Sequence, residues 1–74
     1  MLDKVLYHKA INAVGEPYAA VSVTEETNGY AVWVSTEEEG SRLLGFDRYN
    51  KSAAIELGVD YARRPLCELL TAAL

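Results

Sequence analysis

The stretch VTEETNGYAVWVSTEEEG, Val23–Gly40, decides how this chain is read. On both sides of Asn28-Gly29 it is rich in β-branched and aromatic residues, and Asn-Gly is the pair that fills the two positive-φ positions of a tight type I′ hairpin turn. With Asn28 and Gly29 as the loop, Glu25 pairs with Val32, Val23 with Val34 and Val21 with Thr36. Because strand side chains alternate, these residues share one apolar face. The opposite face collects Tyr18, Ala20, Ser22, Thr24, Glu26, Ala31, Ser35 and the chain's single tryptophan, Trp33. The largest side chain therefore points away from the valines.

Working outward, the pattern predicts strands over 18–25 and 30–36. After the turn signal EEEG, a third antiparallel strand is expected over 41–47, with Leu44 and Phe46 inward and Leu43 outward beside Trp33. Upstream, Leu2, Val5, Leu6, Ala10, Ala13 and Val14 recur at helical spacing. They predict a helix over 3–14 capped by Asp3, ended by Gly15 and barred from continuing by Pro17. Downstream, the chain reads as helix from a cap at Asn50 or Ser52, with Ile55, Gly58, Val59 and Ala62 inward. Pro65 breaks it before a last short helix carrying Leu66, Leu69, Leu70 and Ala73. The expected fold is α+β: one small domain over 1–74 in the order α-β-β-β-α-α.

Length and composition narrow the class of protein. A chain of 74 residues buries only about 60% of its unfolded surface, so it has room for one core and none for an interdomain cleft. Half of its residues are hydrophobic, which places it among ordered globular domains. A single cysteine, Cys67, cannot close an internal disulfide and is expected as a small buried apolar group. No stretch has the length of a membrane span, and the N-terminus lacks the apolar core of a signal peptide. A soluble cytoplasmic location is expected, the host cytoplasm if the gene is viral.

Charge placement says more than the net −4. Between Ala10 and Ser41 there is no Lys or Arg, but there are six glutamates: Glu16, Glu25, Glu26, Glu37, Glu38 and Glu39. The remainder holds seven basic and five acidic residues, a net of +2. Phosphate recognition needs a clustered Lys/Arg surface, so direct binding of nucleic acid is not expected. An acidic surface favours basic partners.

Sites for chemistry are not visible. His8 has no partner in sequence, and nothing in its spacing from Cys67 supports a nucleophile–base pair. Glu37, Glu38 and Glu39 are consecutive and lack the spacing of a calcium loop, while GSRLLG lacks the Lys-Ser/Thr ending of a phosphate loop. The expectation is a protein that is not an enzyme and carries no metal or cofactor.

The order helix, three-stranded meander, helix is similar to that of the double-stranded-RNA-binding domain over nearly the whole chain. Membership would make Arg48, Lys51, Arg63 and Arg64 the contacts to a duplex. Yet the stretch matching that family's lysine-rich helix start, NKSAAIELG, offers only Lys51, and its minor-groove loop is here EETNG, with two carboxylates. The resemblance is one of layout without shared function.

What remains is the Trp33 face. An aromatic anchor beside Tyr18 and Leu43, rimmed by Glu26, Glu37, Glu38 and Glu39, has the layout of an interface. The sequence reading is a non-enzymatic acidic module that binds a protein with a basic surface. The alternatives are a nucleic-acid-binding domain of the double-stranded-RNA type using Arg48, Lys51, Arg63 and Arg64, a small homodimeric structural protein joined through the same face, and burial of Trp33 beneath the final helix. In size and charge alone the chain is similar to phage-encoded inhibitors such as anti-CRISPR proteins.

Overall fold

The computed structural model describes residues 4–11 and 18–74. Four strands, β1 (Lys4–Ala10), β2 (Ala19–Glu26), β3 (Gly29–Thr36) and β4 (Gly40–Asp47), are followed by helices α1 (Lys51–Ala62) and α2 (Leu66–Ala72). The strands form one antiparallel sheet in sequence order, β1-β2-β3-β4. Both helices contribute to a core on one side of it, in which Ala54 and Leu69 pack against Val21, Val23, Val32, Val34 and Leu44.

The helix expected over 3–14 is instead a strand as far as Ala10; its outer portions, with Asp3, Gly15 and Pro17, lie outside the described residues. The cause is a bulge. Val5 pairs with Thr24 and Tyr7 with Val23, so Leu6 is an extra residue between them. A bulge resets the alternation, and here Leu6 and Tyr7 both pack toward the core while Val5 is 58% exposed on the other side. Adjacent apolar residues in one phase and a polar pair after them imitate the helical spacing. The meander accordingly has four strands, not three, and the layout shared with the double-stranded-RNA-binding domain is gone.

The central hairpin forms two residues out of the expected register. Glu26 pairs with Gly29, making Thr27 and Asn28 the loop, and the valines pair as Val21–Val34 and Val23–Val32. Asn28 does not take a positive φ; among the described residues only Gly29 (156°) and Gly40 (73°) do. Phe46 covers Gly29 closely, and the Asp47 carbonyl lies 2.9 Å from where a Cβ would stand. Glycine, with no Cβ, allows that close approach. A slip of two preserves strand parity, so each residue keeps its face.

A second bulge sits in β4. Val32 pairs with Gly45 and Trp33 with Leu43, leaving Leu44 extra and 4% exposed in the core. Leu44 and Leu43 are placed as the sequence predicts. Phe46 is not: it pairs with Ala31 on the face away from the helices and is 43% exposed. Strict alternation would have carried Leu44 and Phe46 to one side, and the bulge separates them.

The helical half follows the sequence reading in its cap and its break, but on α1 the buried core residue is Ala54, with Ile55 and Ala62 packed beside it as expected and Val59 not among the core contacts. Asn50 caps α1 by accepting from the Ala53 amide at 3.0 Å, and Asp47 Oδ1 accepts from the amides of Tyr49 and Asn50. Gly58 is buried, and a Cβ there would stand 2.5 Å from Val23 Cγ2, so a glycine permits the close approach of helix to sheet. Pro65 starts α2, whose Leu69 is fully buried while Leu66, Leu70 and Ala73 pack around the core. Arg64 spans the break, bonding Asp60 of α1 at 2.7 Å and Glu68 of α2 at 3.4 Å. Cys67 is exposed, not buried, because the inward stripe of α2 falls on residues 66, 69, 70 and 73 and turns it outward. No described helix is long and apolar enough to cross a membrane.

Candidate interaction face

With both helices on the valine side, the other side of the sheet has no layer over it among the described residues. The final helix does not cover Trp33, since the apolar side chains of α2 pack with the valines on the opposite face.

Trp33 sits at mid-sheet on β3, flanked by Ser22 of β2 and Leu43 of β4. It is half-buried. Its indole N–H donates to Thr24 Oγ1 at 2.8 Å, and the Thr24 hydroxyl donates onward to Glu26 Oε2 at 2.6 Å. This relay runs along the sheet toward the β2–β3 turn and holds the indole edge to β2. Satisfying the N–H internally removes the cost of leaving a half-buried donor unpaired.

Around the ring runs an open groove of about 310 Å³ lined by Val5, Ser22, Thr24, Trp33, Ser35 and Ser41, one or more residues from every strand. Its hydroxyls are paired within the sheet. Ser35 and Ser41 share a hydrogen bond at 2.8 Å, and Ser22 shares one with His8 Nδ1 at 2.9 Å. His8 is thus an exposed strand residue bonded to a serine.

Of the residues singled out in sequence, Trp33, Leu43 and Glu26 come together on this face. Glu37, Glu38 and Glu39 lie elsewhere, in the exposed β3–β4 turn, where Thr36 Oγ1 accepts from the Glu39 amide at 3.0 Å and Glu39 meets Arg42 at 3.5 Å. Tyr18, 43% exposed, adjoins that turn because its carbonyl accepts from the Glu37 amide at 3.3 Å. An eight-residue strand spans about 23 Å, so the carboxylates at the two ends of β3 bracket Trp33 without touching it.

Val5, Ser41 and Phe46 belong to the face and were missed. Val5 and Phe46 were misplaced by the two bulges, and Ser41 carries no signal beyond its place at the start of a strand. No cluster of His, Cys, Asp or Glu that could hold a metal ion occurs among the described residues. The chain matches no known protein family, no curated protein and no solved structure.

Proposed function

We propose that the chain is a non-enzymatic binding module that docks the open face of its sheet, centred on Trp33, onto a protein with a basic surface. The observation that carries this is the pairing of an uncovered sheet face with its charge. No strand places a Lys or Arg on that face: Lys4, Lys9 and Arg42 sit opposite Glu25, Val21 and Val34, at positions of the helix-covered side. Both ends of β3 carry glutamates. Two copies stacked face to face with roughly aligned strands would set acidic ends against acidic ends, which disfavours the homodimer; a basic partner meets no such repulsion. Within this class, size and acidity suit an inhibitor that covers the basic channel of a nucleic-acid-handling protein.

A photo-crosslinking amino acid placed at Ser35, on the open face, and at Glu56, exposed on α1, tests the reading in cells of the native source. Expected are adducts from Ser35 to a protein of basic pI, none from Glu56, and loss of the Ser35 adduct on Trp33→Ala, which should weaken binding by about 2 kcal/mol. Adducts only to the chain itself, or equally from both positions, would overturn it.

A further inference from the structure

The geometry around Trp33 narrows what a partner docked on the open face would present at its centre. The indole N–H is already bonded to Thr24, so the ring has no polar edge left for a ligand and offers the groove its π surface. The Thr24–Glu26 bond fixes the acceptor in turn, so the ring is held before any partner arrives and little side-chain entropy is lost on contact. Glu26 is the one carboxylate that the strand register places on this face, and no described Lys or Arg forms an ion pair with it. Arg48 lines the hollow at the β2–β3 turn together with Glu26 but forms no ion pair with it. A π surface beside a carboxylate that no described cation neutralises selects a cation. The remaining lining is Val5 and the hydroxyls of Ser22, Ser35 and Ser41, whose oxygens can accept from a group with several donors in one plane.

We propose that the groove takes an arginine side chain of the partner, its guanidinium stacked on Trp33 and neutralised by Glu26. A guanidinium fits better than an ammonium because it is planar, stacks on aromatic faces and carries five donors in a fixed fork. This rests on the reading of the open face as a docking surface. It adds the chemistry of the residue recognised there.

The test is an amide NMR titration of the folded protein with N-acetyl-arginine amide and with its uncharged isostere, N-acetyl-citrulline amide, following the Ser22, Ser35 and Ser41 amides and the single indole N–H. Arginine amide should give saturable shifts at these positions at about fivefold lower concentration than citrulline amide, and Glu26→Gln and Trp33→Leu should each weaken it about threefold or more. Glu26→Gln retains an acceptor for Thr24, so it reports on charge even if Trp33→Leu loosens the sheet. Equal responses to the two amides, or shifts centred on the Glu37–Glu39 turn, would overturn the inference. If the Ser35 crosslink persists while arginine shows no preference, the docking reading stands and the arginine assignment falls. If the crosslink fails, the docking reading falls whatever arginine does.

Discussion

Gly58→Ala measures how closely α1 lies on the sheet. By helix propensity alone the change should stabilise the protein by about 1 kcal/mol, since glycine is the poorer helix former. The structure reverses the sign. The new Cβ would stand 2.5 Å from Val23 Cγ2, and Val23 is fully buried. A β-branched side chain in a sheet has few rotamers to retreat into, and overpacking of this kind costs about 1–3 kcal/mol. The net expectation is a loss of up to about 2 kcal/mol, a large share of the roughly 4–11 kcal/mol that a domain of this size has in total. Urea unfolding followed by circular dichroism reads it as a lowered midpoint at unchanged slope. A cycle with Val23→Ala makes the argument strict. Removing both methyls of Val23 should cost about 2 kcal/mol alone, but Gly58→Ala should then become neutral or stabilising, a coupling of about 2 kcal/mol. A raised midpoint for Gly58→Ala in the wild-type background, or an additive cycle, would refute the close approach.

Two further substitutions test the local architecture. Gly29→Ala should lower stability by about 1–2 kcal/mol, because the new Cβ meets the Asp47 carbonyl at 2.9 Å as well as the Phe46 ring; Phe46→Ala should restore only part of the loss, and full restoration in urea melts would show that the backbone contact is unimportant. Asn50→Ala should cost about 1 kcal/mol by freeing the Ala53 amide, and Asn50→Asp should retain most of it; equal midpoints for both variants would remove the cap from the account.

The parity of the central hairpin was legible in the sequence because the valines and the Asn-Gly turn constrain each other. An error of two residues in the loop left every face assignment intact. Of the edge strands β1 was not legible, while β4 was read in its bounds and in the sides of Leu43 and Leu44 but not in the side of Phe46, and the reason is the same in both. Leu6 in β1 and Leu44 in β4 are bulge residues, and a bulge changes the phase of a strand without any residue type that announces it. In β1 the broken phase resembled a helix, and in β4 it sent Phe46 to the face opposite the one that alternation predicts. Trp33 and Leu43 were found as neighbours because three residues separate each of them from the Glu37–Glu39 turn. The relay from Trp33 through Thr24 to Glu26 was out of reach, since it depends on which way an indole ring turns. The Pro65 break and the Asn50 cap were readable because both act within a few residues of themselves.

The contact at the end of α2 bears on how the sheet could grow. The Leu74 amide donates to the Leu43 carbonyl at 2.8 Å, so main-chain pairing at the outer edge of β4 is blocked midway along the strand. Among the described residues only β1 keeps an open edge. Pairing between copies is then easier at β1, where two copies joined about a two-fold axis would form eight continuous strands. A head-to-tail stack of sheets would need both edges. Growth of the sheet by edge pairing is thereby hindered on the β4 side, without any use of the bare face.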